Sequence, residues 1–317
     1  MATARETSVL TVAAIRTGNN KSIEYLFNER QRIYSLATRV AADEQSVRHL
    51  RDALDRNRPV KIALDVRRAL IQRVSEPTKR ELDEFARNRV PLEKPDKVVP
   101  IEVSKIDPTT FNFVDLYLKW RCFRLCNKLV PSYAKAKEIF DFCAQLSCNL
   151  PGPYAVTPCI PFQYVRDGCY ARAHKMRRII TTRYRYCCEK VFSFANQGND
   201  TLAVKADKWG GCCVTWWYHV APLIRVRLRL RGFPRQSLIL AMVIDPGMFD
   251  KPVLLSTWLA AQENSACSPN AHVSTYSIQP GSAYWPTNYA GTSFGTDPNY
   301  TLTQGTLVAY SSLTTCS

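Results

Sequence analysis

The chain has 317 residues, 46% of them hydrophobic, enough for one large domain or two modest ones with a sizeable core. Lys and Arg total 43 against 27 acidic residues, a formal net charge of +16, which keeps a basic nucleic-acid or surface-binding protein open as the reading from another class. The basic residues are spread along the chain with few interleaved aromatics, so nucleic acid is not the expected partner, and no run approaches the roughly 18 to 20 apolar residues of a membrane-spanning helix.

In chain order, "MATARETSVLTVAAIRTGNN" carries an apolar stretch too short for a secretory signal. Residues 22–57 recur apolar at Ile23, Leu26, Ile33, Leu36, Val40, Val47, Leu50 and Leu54, a spacing that predicts two amphipathic helices separated near Ala42 to Glu44. Two further helices are expected in "KIALDVRRALIQRV" and "PTKRELDEFARNRV", the second opened by Pro77 and Thr78 in capping positions. Residues 90–113, with four prolines and alternating β-branched residues, read as an extended connector with one strand, followed by a domain boundary. A helix over 132–146, a Pro/Gly loop, the helix of "DGCYARAHKMRRII" and strands in "EKVFSFA", "CCVTWWYHVAPLIRVRLRL" and "SLILAMVID" come next. The last 60 residues read as loops with short strands.

All twelve cysteines lie from Cys122 onward, which implies disulfides confined to that part and an oxidising compartment. The doublets at 187/188 and 212/213 lack C-x-x-C spacing and the chain has four histidines, so no metal and no cofactor is expected. Loop length favours a Cys148–Cys159 pair.

Cys169 opens a helix whose buried stripe is Cys169, Ala173, Met176 and Ile180, with Arg172, Lys175 and Arg178 off it. Unpaired N–H groups and the dipole at that end favour a thiolate, and the Cys169 backbone N–H is available to an oxyanion. Position alone favours a buried structural cysteine or half a disulfide over a nucleophile. His174, five residues on and about 140° around the axis, cannot act as its base. His219 lies inside a core strand, and Asp245 ends the next strand beyond a Gly/Pro turn, so an antiparallel hairpin brings the two together. The roles are then nucleophile for Cys169, acid–base for His219 and orienter for Asp245.

"DGCYARAHKMR", "CCEK", the "YHVA" block and "IDP-x-x-F", with "LSC" and "TPCI" upstream, resemble the bacterial protein-glutaminases in order and spacing over about residues 127–267. The resemblance puts the family's catalytic cysteine, histidine and aspartate on Cys169, His219 and Asp245. It implies an α+β fold with a papain-like or transglutaminase-like core. The implied reaction is hydrolysis of the side-chain amide of glutamine in proteins and peptides through a cysteine thioester. It also implies a secreted precursor. Residues 1–126 would form an inhibitory pro-region, largely helical with an extended segment near 96–106, and residues 127–317 the catalytic domain released by an activating protease. Gln163 has the spacing of the oxyanion glutamine in papain-like proteases. A transglutaminase or a cysteine protease would share the same triad. Pro222, three residues after His219, predicts an edge strand or a bulge there, and Trp217 narrows the expected cleft.

Overall fold

The computed structural model describes residues 5–18, 22–37, 40, 43–92, 101–102, 128–150, 158–230 and 233–316. The N-terminal part runs β1 (Arg5–Thr17), β2 (Ile23–Phe27), β3 (Arg30–Leu36), α1 (Glu44–Asp55), β4 (Pro59–Asp65), β5 (Leu70–Ser75), α2 (Lys79–Asn88), β6 (Val90–Pro91) and β7 (Ile101–Glu102). The C-terminal part continues with α3 (Tyr133–Gln145), α4 (Cys169–Thr182), β8 (Glu189–Phe194), β9 (Leu202–Lys205), β10 (Cys213–Trp216), β11 (Tyr218–Leu230) and β12 (Phe233–Val243). It closes with β13 (Val253–Leu254), α5 (Leu255–Ala260), β14 (Thr275–Gln279), β15 (Ala283–Pro286), β16 (Phe294–Thr296) and α6 (Thr301–Tyr310).

Where helices are expected from 22 to 41 and in "KIALDVRRALIQRV", the described residues form the strands Ile23–Phe27, Arg30–Leu36, Pro59–Asp65 and Leu70–Ser75. β2 and β3 form an antiparallel hairpin that pairs Tyr25 with Tyr34 and Phe27 with Arg30. In β4 the buried Val60, Ile62 and Leu64 alternate with period two, and β-branched residues at that spacing prefer a pleated surface to a helix. The apolar residues Ile23, Leu26, Ile33 and Leu36, spaced three, seven and three apart, come from two strands across a turn, which imitates helical spacing. α1 keeps only the second half of the expected pair. α2 forms as read, with Thr78 and Glu81 in a reciprocal capping box: Glu81 N–H donates to Thr78 Oγ1 at 3.3 Å and Thr78 N–H to Glu81 Oε2 at 2.8 Å.

The N-terminal elements have a core of their own, from Leu10, Val12, Tyr25, Phe27, Leu50, Ile62 and neighbours. They also add strands to the C-terminal part at three places. The order β2-β1-β4-β5-β3-β10-β9 joins the two parts through Arg32 opposite Trp216. β6 pairs with β16, and β7 pairs with β14, Ile101 opposite Tyr276. Of the segment near 96–106, residues 101–102 form β7 and pair with β14, and the remainder lies outside the described residues.

The sheet β13-β12-β11-β8-β14-β7 is the frame of the C-terminal part. Its two faces bury separate clusters: Val220, Ile224 and Val226 of β11 face α3 and α4, whereas Ala221 and Leu223 face Trp258 and Leu259. Pro222 sits in this central strand, not at an edge. The β11–β12 ladder starts one residue later, at Leu223 opposite Val243, and Pro222 contributes only its carbonyl, which accepts Ile244 N–H at 3.0 Å. The missing N–H therefore falls where no partner strand asks for it.

Cys148–Cys159, Cys212–Cys316 and Cys213–Cys267 are disulfides, so the 212/213 doublet ties two distant segments to one strand. Cys187 is also disulfide-bonded, and Cys143, Cys169 and Cys188 are buried free thiols. Among the described residues no helix is long and apolar enough to cross a membrane.

Candidate active site

The start of α4 is built by the loop before it. Gly168 has φ +80°, and a Cβ there would lie 2.8 Å from the Tyr310 ring, so only glycine fits. Asp167 Oδ1 accepts Gly168 N–H at 2.8 Å and its Oδ2 accepts Tyr310 OH at 3.0 Å. Arg172 is buried, contrary to its off-stripe position, and donates to Tyr164 O at 2.7 Å and Asp167 O at 2.6 Å. The first turn is thus locked to the loop without using the N–H of Cys169, which donates instead to Gln31 Oε1 at 2.8 Å.

Cys169 is 1% exposed and unpaired. Burial pushes its thiol pKa up, against the opposing pull of Arg172 and the Val220 backbone N–H. The activation expected from the helix start is therefore outweighed in this closed form, where the thiol stays protonated.

His219 and Asp245 meet across the β11–β12 hairpin, with Nε2 2.9 Å from Asp245 Oδ2. Burial opposes ionisation of Asp245, but hydrogen bonds from His219 and from Trp258 Nε1 (3.0 Å) outweigh it and hold its pKa below the usual carboxylate value. An ionised Asp245 only accepts, so Nε2 carries the proton and Nδ1 is the basic nitrogen. Nδ1 is buried with no hydrogen-bond partner among the described residues, and the residue after His219 supplies the N–H beside the Cys169 sulfur. The imidazole is stacked between Trp216 (4.6 Å, 12°) and Trp258 (5.4 Å, 22°). In the sequence Trp216 is marked only by the "TWWYH" run, and Trp258 by no local pattern.

Gln163 does not reach Cys169: its Nε2 donates to Ser311 O at 2.9 Å, and its backbone carbonyl accepts Thr315 Oγ1. The papain-like spacing is met, but the amide anchors the C-terminal segment.

His174 is a buried histidine with its own work. Lys190 Nζ lies 2.8 Å from its Nδ1, and its Nε2 faces Asp297 O at 3.2 Å. Burial, then Lys190, Arg177 and Arg178, lower its pKa to about 2, with the Asp297 carbonyl opposing them. A depressed histidine stabilises the fold fully above its unfolded pKa and loses that contribution as pH falls. Below about pH 6.5 the loss is about 1.4 kcal/mol per pH unit. His174→Gln should flatten the fall of urea-unfolding free energy between about pH 6.5 and 5; equal slopes in both proteins would refute this.

The cleft over Cys169 is filled by the β2–β3 hairpin. Trp217 Nε1 donates to Phe27 O and Arg30 O at 3.2 and 2.6 Å, so this side chain holds the hairpin and is fully buried. Arg30 reaches Glu6 and Ser8 on its own side, and Asp167, Tyr170 and Tyr310 on the other. Gln31 points its carboxamide at the helix start, with Oε1 2.8 Å from Cys169 N.

A family model described as Glutaminase matches residues 136–262. The structure is similar to a crystal structure of a pro-protein-glutaminase, 27% identical over 99% of this chain and 95% of that one, with TM-score 0.70. It is also similar to an NMR structure of protein-glutaminase from Chryseobacterium proteolyticum, 34% identical, covering 60% of this chain and 92% of that one, with TM-score 0.50. The chain belongs to the protein-glutaminase family. No curated relative matches it. As a protein-glutaminase it is a hydrolase of amides, acting on the side chain of protein-bound glutamine, and it stands here in its pro-form.

Proposed function

We propose that this protein-glutaminase deamidates glutamine through a thioester on Cys169, with His219 as acid and base and Asp245 as its orienter, on a papain-like or transglutaminase-like core. One observation carries the reading: His219, 2.9 Å from Asp245, is followed in β11 by Val220, whose N–H faces the Cys169 sulfur. With Nε2 fixed by Asp245, Nδ1 takes the thiol proton. The thiolate then attacks the amide carbon, and the oxyanion forms at the Cys169 N–H. Imidazolium, flanked by the π faces of Trp216 and Trp258, returns the proton to the departing ammonia; Nδ1 next activates the water that cleaves the thioester.

Residues 1–126 act as an inhibitory pro-region of a secreted enzyme, removed by a protease ahead of residue 127. The hairpin seated over Cys169 supports this, as does the share matched: 99% by a pro-form but 60% by a protein-glutaminase. The chain beginning at Asn127 is expected to release ammonia from casein faster than the full chain, without peptide cleavage or cross-linking, and Cys169→Ala is expected to release none. Ammonia release that survives the substitution overturns the nucleophile, cross-linking without ammonia indicates a transglutaminase, and cleavage indicates a protease.

A further inference from the structure

We propose that Gln31 is itself a substrate: Cys169 displaces the amide nitrogen of Gln31 in the same chain, and hydrolysis leaves a glutamate side chain at that position. The inference rests on the thioester reading above and extends it from external proteins to the enzyme's own N-terminal region.

Gln31 is fully buried, and every polar group it has is bonded to the C-terminal part. Its Oε1 accepts Cys169 N–H at 2.8 Å and its Nε2 donates to Val165 O at 3.1 Å. Its backbone carbonyl accepts Trp217 N–H at 3.0 Å, and its N–H donates to Asp167 Oδ1 at 3.4 Å. A backbone N–H only donates and a carbonyl only accepts, so the two ends of the amide cannot be exchanged. The oxygen therefore sits at the N–H that would receive the oxyanion, and the nitrogen sits against a carbonyl that a departing ammonia can also donate to. An inert plug needs no amide here. An apolar side chain would fill the space without calling on either group, whereas a carboxamide held at both ends is the group this enzyme hydrolyses.

The steps balance. The Cys169 proton passes to His219 and the sulfur bonds to the side-chain carbonyl carbon of Gln31. The C–N bond breaks as the nitrogen takes that proton and leaves as ammonia. Water then adds to the thioester, the C–S bond breaks, and the free thiol and a side-chain carboxylate result. That carboxylate has lost the donor that met Val165 O while it stays buried, so the product holds the hairpin less well than the glutamine did.

The test is made on the full chain. The wild type and Cys169→Ala, with Cys169→Ser as a second variant should alanine fail to fold, are digested with a protease that cuts before aspartate. The peptide ending before Asp43 is then sequenced by mass spectrometry. The expected result is the loss of the Gln31 amide in the wild type, as a carboxylate or as a thioester to Cys169, and an intact glutamine in both variants. In heavy-oxygen water the label enters residue 31 of the wild type only. An intact Gln31 in a wild-type chain that deamidates casein after proteolysis overturns the proposal and leaves the enzyme assignment standing. Loss of the Gln31 amide in the variants as well shows spontaneous deamidation and overturns it too. No Cys169-dependent ammonia from casein after proteolysis removes the reading beneath it.

Discussion

His219→Ala in the cleaved enzyme is expected to lower kcat for ammonia release by at least about 10⁴-fold, with KM little changed. In the proposed mechanism the histidine serves twice, since it takes the thiol proton before attack and protonates ammonia on departure. Asp245→Asn is expected to cost less, about 10- to 10³-fold in kcat, because a correctly turned carboxamide oxygen still accepts from Nε2 and only the charge that favours imidazolium is lost. Its neighbour Trp258 Nε1, which bonds the same oxygen, helps to hold that orientation. Steady-state ammonia assays on the three proteins decide this. A His219→Ala enzyme within tenfold of wild type would remove the histidine from the mechanism, and equal losses for both variants would mean that Asp245 does more than orient.

The parts of the site that were legible in the sequence are those fixed by local pattern. The helix start at Cys169 follows from Asp167-Gly168 and the buried stripe behind it. The His219–Asp245 meeting follows from two β-rich runs joined by a short turn, which leaves only one antiparallel hairpin to draw. What the sequence hid depends on contacts between distant segments. Trp258 carries no signal in "STWLAA" until α5 brings it onto the imidazole. The N-terminal hairpin was masked by the spacing of Ile23, Leu26, Ile33 and Leu36, which fits a helix as well as two strands. Nothing local in the sequence marks Gln31, since its meaning lies entirely in Cys169, Val165, Asp167 and Trp217, more than 130 positions away. Gln163 shows the converse failure: the right distance along the chain, but an amide turned to Ser311.

Arg30→Met in the uncleaved chain is expected to raise ammonia release from casein at least about tenfold over the uncleaved wild type. Removing one partner of a buried ion pair costs about 3–5 kcal/mol. Part of that is recovered here, because burial already raises the pKa of Asp167 and lets it take a proton when the guanidinium beside it is gone. About 1.5 to 3 kcal/mol lost from the closed state corresponds to about 10- to 100-fold more of the open one. Arg30 spans the joint, with Glu6 and Ser8 on one side and Asp167, Tyr170 and Tyr310 on the other, so its loss loosens the hairpin over Cys169. The pairings of β6 and β7 with the C-terminal sheets remain, so the cover lifts locally and does not detach. Cleavage ahead of residue 127 removes position 30 altogether, and the two cleaved enzymes then share one sequence and must have equal rates. A difference between them would show that the substitution disturbed folding of the C-terminal part. Equal rates after cleavage with no gain before it would mean that the three inter-part strand pairings alone close the site.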